Sequence, residues 1–178
     1  MKKMITAIAL LISVTGFSQS KYETAMKKNL DRFDSAKTTA DFLSLAAAFE
    51  RIAETEKTQW LPYYYAGLAL SIPGWSDMNL DKDANAAKIK AFCDKAEALQ
   101  KNSEVYELRF MALMQQFLVD PQTRFGTYLP ESDAALKKGI EVDPKNPRLY
   151  YLQGSNLFNT PEQYGGGKSK AKPILEKA

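Results

Sequence analysis

The residue types that support most nucleophilic and metal chemistry are almost absent from this chain of 178 residues. It contains no His and a single Cys. A Ser-His-Asp or Cys-His catalytic group and a His-ligated metal site are therefore excluded. One Cys also excludes an intramolecular disulfide and a Cys-rich zinc cluster. Cys93 falls on a helical stripe of apolar residues and is expected to be buried. We expect a protein without enzymatic activity, cofactor or metal.

Gly165 to Ser169 (GGGKS) resembles a phosphate-binding loop only in part. Such a loop needs an earlier Gly, and Glu162 occupies that place. It also needs a preceding strand, which the surrounding sequence does not predict. We interpret the segment as the entry to the last helix.

The segment DMNLDKDAN, residues 77 to 85, alternates oxygen-bearing side chains as a calcium-binding hand does. Lys82 and Lys88 stand where the hand needs a Gly and a bidentate Glu. Calcium binding is therefore not expected. Asp81 or Asp83 is predicted to cap the following helix instead.

Aromatic and acidic side chains provide two further candidates for ligand contact. An exported protein could stack sugars on Trp60, Tyr63, Tyr64, Tyr65 and Trp75. Because these residues are mostly helical neighbours, structural packing is the preferred interpretation. Glu104 and Glu107 could act together in glycoside chemistry. Nothing places them across a cleft, so a solvated helix face is expected.

The start of the chain has the pattern of a secretory signal peptide. Lys2 and Lys3 precede an apolar stretch from Met4 to Phe17, which is too short to cross a bilayer of about 30 Å. We predict a signal peptide at 1–18, with Ser20 as the alternative cleavage site, and a mature domain at 19–178 in the periplasm or outside the cell. Loss of the two Lys leaves 22 basic residues against 21 acidic ones, so neither nucleic acid nor a membrane is an expected partner.

The spacing of apolar residues predicts an all-α fold. Apolar positions recur every three or four residues, and no alternating run predicts a strand. Helix-breaking Pro and Gly residues separate these segments at Pro73-Gly74, at Pro121 to Pro130 and at Pro161 to Gly167. The predicted helices lie at 21–36, 40–54, 60–71, 83–100, 103–119, 131–142, 147–158 and 167–178.

Three helical segments repeat one another. Tyr63–Leu70, Tyr106–Leu113 and Tyr150–Leu157 align without gaps, with starts 43 and 44 residues apart. Two of them have Gly at the fifth position, Gly67 and Gly154. Each is followed by a helix of small-large-small spacing: Ile89, Cys93, Ala96; Ser132, Leu136, Gly139; and Ala171, Leu175, Ala178, with a fainter copy at Ala46, Glu50, Ala53.

These helix pairs resemble the tetratricopeptide repeat family. Tyr150, Gly154 and Leu157 match the family's first helix. Ala171, Leu175 and Ala178 match its second. The resemblance implies a right-handed superhelix of antiparallel helix pairs with about four units. The family period is about 34 residues, so each unit is longer by nine or ten. We expect the surplus to form long loops between the two helices of a unit. Phe110 replaces the small residue in one unit.

The resemblance implies that the concave face, formed by the first helix of each unit, is the binding surface. Met and Tyr exposed together would suit a peptide, unless the long loops cover that face. We therefore predict a non-enzymatic protein-binding scaffold. Alternatives are a small-ligand or glycan binder using Trp60 and Trp75, and a module that self-associates through the final helix with Ile174 and Leu175. The predicted binding residues are Tyr64, Leu68, Glu107, Met111, Met114, Tyr151, Ser155 and Phe158.

Overall fold

The computed structural model describes residues 21–178, and all regular structure within that range is helical. The predicted signal peptide lies outside the described residues. The all-α prediction is confirmed. The elements are α1 (21–33), α2 (Thr39–Glu56), α3 (Leu61–Ser76), α4 (Lys82–Leu99), α5 (Ser103–Phe117), α6 (Pro121–Val142), α7 (Pro147–Asn159), a short 3-10 turn (Glu162–Tyr164) and α8 (Lys168–Leu175).

Polar side chains begin several of these helices by accepting backbone hydrogen bonds. Thr38 and Asp41 form a reciprocal capping box at the start of α2. The Asp81 carboxylate accepts from Ala84 N at 3.0 Å and caps α4, as predicted. Asp120 caps α6 in the same way. Each cap satisfies a backbone N–H that has no partner inside the helix.

The helices stack in the order of the chain, as expected for a helical-repeat solenoid. From α2 onward each helix packs against the next, and α5 also contacts α3 and α7. The first helices of successive units therefore adjoin one another. Gly67 permits one close approach, because a Cβ there would stand 2.8 Å from the Leu108 side chain.

Two apolar clusters fill the stack. The larger extends from α1 to α5 and includes the fully buried Phe49 and Ile89. The smaller joins α5, α6 and α7 around Leu136 and Leu149. Cys93 lies in the larger cluster and is buried, as predicted, and this burial raises the pKa of its thiol to about 12. Within the described chain, no helix combines the length and apolar character of a membrane span.

The helix boundaries differ from the prediction at two of the breakers. α3 continues through Pro73-Gly74 to Ser76, and α6 begins at Pro121 rather than residue 131. Pro121 stands at the first position of α6, where a missing N–H costs nothing. The connections at 77–81 and 118–120 are consequently short. Most of the surplus length of these two units is therefore helix, not the long loops expected from the sequence.

The aromatic centre of the larger cluster generates a stability prediction. Phe49 is 0% exposed, and its ring stacks on Tyr65 with centroids 5.3 Å apart. We expect Phe49→Ala to lower the free energy of unfolding by about 3–5 kcal/mol, because the cavity cannot close fully. The matched change Leu43→Ala, on the exposed face of α2, should cost less than about 0.5 kcal/mol. Urea denaturation followed by circular dichroism measures both, and equal losses would contradict this packing.

Candidate functional site

Exposed apolar side chains gather at one edge of the stack. Trp75, Met78, Leu118 and Val119 are all exposed, and all line one cleft of about 530 Å³. The cleft lies where α3 turns into α4 and α5 turns into α6. Its volume falls within the usual range for small-molecule sites. The other lining residues are Gly74, Leu80, Asp81, Lys82, Asp83 and Gln115.

The cleft depends on the passage of α3 through Pro73. A proline has no N–H and its ring opens the preceding helical turn. In that turn, the Leu70 carbonyl accepts a hydrogen bond from Asn85 Nδ2 at 3.0 Å, and the Ser71 carbonyl accepts one from Gln115 Nε2 at 3.0 Å. Both amide side chains are buried. The turn of α3 before Pro73 is thereby tied to α4 and α5, and the last turn, which carries Trp75, continues directly from it.

Gly74 belongs to the same arrangement. A Cβ on Gly74 would collide with the side-chain amide of Gln115. That amide is held by the Ser71 carbonyl and lies 3.4 Å from Asn85 Nδ2. Any larger residue at 74 would therefore displace a buried and hydrogen-bonded group. The glycine is required by this contact.

The connection from α3 to α4 is fixed by hydrogen bonds at both ends. Thr39 Oγ1 donates to the Asp77 carboxylate at 2.8 Å, and Asn79 N donates to the same carboxylate at 2.9 Å. Lys82 Nζ donates to the Asp77 carbonyl at 2.8 Å and also to the Gly74 carbonyl. These hydrogen bonds hold the pKa of the Asp77 carboxyl below its ordinary value. The backbone on either side of Met78 is therefore anchored.

Arg124 of α6 supports the side of the cleft that Leu118 and Val119 form. Its guanidinium donates to both carboxylate oxygens of Asp83, at 2.6 and 2.8 Å, and to the Gln116 carbonyl at 2.8 Å. This pairing lowers the pKa of Asp83. Arg124 thus joins α4, α5 and α6 behind Leu118 and Val119. The charged groups that line the cleft are engaged in hydrogen bonds or an ion pair, whereas Trp75, Met78, Leu118 and Val119 are exposed.

The residues of the calcium-like segment hold no metal site. Asp77, Asp81 and Asp83 are each occupied by the hydrogen bonds described above. Over residues 21–178, no group of three or more acidic or Cys side chains is placed to ligate a metal ion.

The residues predicted on the concave face lie outside this cleft. Tyr64, Leu68 and Met111 are half-buried and pack against the larger cluster, and Met114 packs against the smaller one. Ser155 is also half-buried. Tyr151 and Phe158 on α7 are exposed. No ligand contact is established for these residues, and their binding role stays a prediction.

Glu104 and Glu107 form part of a half-buried polar cluster rather than the solvated helix face that was expected. Glu104 accepts hydrogen bonds from Arg148 Nη1 at 2.7 Å and from Asn146 Nδ2 at 2.8 Å. One carboxylate oxygen of Glu107 is buried without a hydrogen-bond partner. Burial and the neighbouring Glu104 raise the pKa of Glu107 to about 7. Glu107 is half-buried because α3 and α7 pack over this part of α5.

The two tryptophans of the predicted sugar platform are not brought together. Trp60 and Trp75 lie fifteen positions apart along one helix axis, which separates them by about 22 Å. Trp60 packs on Tyr64, with ring centroids 5.8 Å apart, beside the larger cluster. Only Trp75 reaches the cleft.

Comparison with known proteins gives an informative match among solved structures. No protein-family model matches the chain, and neither does any curated protein. A solved structure, the HusA haemophore from Porphyromonas gingivalis, is 38% identical, superposes with a TM-score of 0.77, and is matched over 88% of this chain and 77% of its own. The chain belongs to the HusA family. Membership of the tetratricopeptide repeat family stays a prediction.

This relationship overturns the protein-binding scaffold predicted from the sequence. HusA is named for carrying haem, a small ligand. Similarity to HusA therefore supports the small-ligand alternative over a peptide groove. The misassignment came from the repeat resemblance, which directed attention to the concave face. The available signal was the apolar character of Met78 and Leu80 in a predicted connection, where polar residues are usual. Leu118 and Val119 gave no such signal, because the prediction placed them in the helix at 103–119.

The Glu107 cluster generates a pH prediction. The folded-state pKa of Glu107 lies above its ordinary value, so its ionisation opposes folding as pH rises through the interval between the two values. Glu107→Gln, which stays neutral, should gain thermal stability relative to the wild type between about pH 5 and about pH 8. Melting curves across this range test it. Glu131→Gln, an exposed change of the same charge, is the control, and parallel behaviour of both variants would contradict the account.

Proposed function

We propose that this protein binds haem, with the macrocycle in the cleft between the ends of α3 and α5. Its 38% identity to the HusA haemophore over most of both chains is the observation that carries this proposal. The cleft supplies the apolar surface that haem binding requires. Haem is a flat and largely apolar ring, and its transfer from water onto apolar side chains is favourable in proportion to the area buried.

The side chains of the cleft suit such a ring. Trp75 offers an indole face for stacking, and Leu118 with Val119 offers aliphatic area from the adjoining helix turn. These groups are exposed, so their burial against haem would be favourable. Since the chain has no His, imidazole coordination is excluded and ring contact must provide much of the affinity.

Two other surfaces fit haem less well. The groove between α1 and α2 is ringed by Lys21, Lys28, Arg32 and Arg51 and exposes no large apolar side chain. The concave face has its Met and Leu residues packed against the core. Neither offers the continuous free apolar area of the cleft.

Further parts of the proposal concern location and architecture. An exported protein is consistent with the signal-peptide pattern at 1–18 and with the similarity to a haemophore. We also propose that the function is binding without catalysis, and that the helix pairs are tetratricopeptide-like units with lengthened helices. Self-association through α8 is not part of the proposal, since Leu175 packs closely against Gly154 of α7.

A matched pair of valine substitutions tests the cleft. Val119 is 47% exposed inside it, and Val142 is 39% exposed outside it at the end of α6. Val119→Lys should weaken haem binding by about tenfold or more, because a charged ammonium would have to be desolvated against the ring. Val142→Lys should leave the affinity unchanged. Absorption titrations of the purified mature protein measure both.

The same titration distinguishes the cleft from the concave face as the site of haem binding. If Tyr151→Ala and Phe158→Ala weaken haem binding while Val119→Lys does not, the ligand sits on the concave face and the cleft assignment is wrong. If the wild type binds no haem, the function itself is wrong. Thermal melts of each variant confirm that the fold is retained.

A further inference from the structure

The groove between α1 and α2 concentrates positive charge. It has a volume of about 430 Å³, and its lining holds four cationic side chains, Lys21, Lys28, Arg32 and Arg51, against one carboxylate, Glu56. The predicted mature chain as a whole carries 22 basic residues against 21 acidic ones. The groove is therefore strongly positive in a protein that is close to neutral.

The fold does not neutralise these cations. Within residues 21–178, none of the four forms an ion pair. The Arg32 guanidinium donates to Asn29 Oδ1 at 2.9 Å and to Ser44 Oγ at 3.3 Å, and both acceptors are uncharged. The Asp41 carboxylate, whose pKa Arg32 helps to lower, is engaged in the capping box of α2. The Arg32 guanidinium is thus oriented while its charge stays available to a ligand.

The packing of α1 against α2 brings cations from both helices together. Arg32 at the end of α1 contacts Ser44 near the start of α2, so the two helices run antiparallel. Arg51 lies seven positions after Ser44, opposite the middle of α1, and Lys28 lines the same groove. Glu56 ends α2 at the far end of the groove. Positive charge is therefore greatest around Lys28, Arg32 and Arg51.

The shape of the groove suits an extended ligand better than a single small anion. Lys21 and Arg32 are eleven positions apart on α1, which separates them by about 16 Å along the helix axis. One phosphate or one carboxylate cannot reach both. About five residues of extended peptide span the same length. Ala25 and Ala48 are small residues of the lining, and they leave room for a peptide backbone between the helices.

A membrane surface fits the groove less well. Membrane binding by a helical surface draws on buried apolar area as well as on charge, and the groove exposes no large apolar side chain. Its affinity must come from charge and hydrogen bonds. Grouped guanidinium and ammonium side chains are the chemistry by which proteins recognise acidic peptide motifs.

We infer that the groove between α1 and α2 binds an acidic peptide segment of a partner protein, whose carboxylates pair with Lys28, Arg32 and Arg51. The groove shares no lining residue with the cleft, so this inference does not rest on the proposed function. All three cations are exposed. Binding should therefore weaken as the salt concentration rises.

A fluorescently labelled hexaglutamate peptide tests the groove on the mature protein. Fluorescence anisotropy at low salt should show binding that weakens by about tenfold or more in Lys28→Glu and in Arg51→Glu, because each change removes an attraction and adds a repulsion. Lys101→Glu makes the same change of charge at an exposed position outside the groove. It should alter the affinity by less than about twofold. A hexaglutamine peptide should not bind.

The alternatives are distinguished by further probes. Equal weakening by Lys101→Glu and Lys28→Glu would mean attraction by overall charge, and the inference would be wrong. Phosphatidylglycerol vesicles and inorganic pyrophosphate are titrated in parallel. If either binds through Lys28 and Arg51 while the peptide does not, the groove is a lipid or phosphate site and the inference is overturned. Failure of the wild type to bind hexaglutamate at low salt also overturns it. Thermal melts confirm that each variant is folded.

Discussion

The cleft depends on the continuation of the α3 helix beyond Pro73. Without N–H at that position the helix would tend to end, and the sequence alone predicts that it does. Two buried amides from other helices, Asn85 and Gln115, donate to the carbonyls of Leu70 and Ser71 and hold the opened turn together. The helix therefore gains a further turn that carries Trp75 to the edge of the stack. Loss of either amide would remove a buried hydrogen bond to this turn and loosen the wall of the cleft.

This arrangement shows why the fold was predictable and the site was not. The helix pairs follow from spacing that is local in sequence, such as the Tyr, Gly and Leu positions repeated from Tyr63 to Leu157. The continuation of α3 depends on Gln115, which lies 42 positions after Pro73 along the chain. The local sequence at Pro73-Gly74 predicts only that the helix ends there. Likewise, the burial of Glu107 is produced by α3 and α7, and no periodicity within α5 reveals it.

The structure changes the interpretation of the residues by which these units exceed the tetratricopeptide period. The sequence comparison placed the surplus residues between the two helices of each unit and interpreted them as long loops. In the units that begin with α3 and α5, most of these residues do not form loops. They extend α3 and α6 instead, and they bring apolar side chains to one edge rather than covering the concave face. In this account, the repeat scaffold supplies stability and the extensions supply the binding surface. Haem, the ligand proposed for that surface, suits its apolar side chains.

The two tryptophans allow the most direct test of the cleft as the haem site. They stand at opposite ends of α3, Trp75 in the cleft and Trp60 beside the core. In a heteronuclear NMR titration with a diamagnetic gallium protoporphyrin, each indole N–H gives its own signal, assigned by substitution of either residue with Phe. The account predicts that the Trp75 signal moves while the Trp60 signal stays in place. Movement of the Trp60 signal alone, or of neither signal when the ligand is bound, would contradict it.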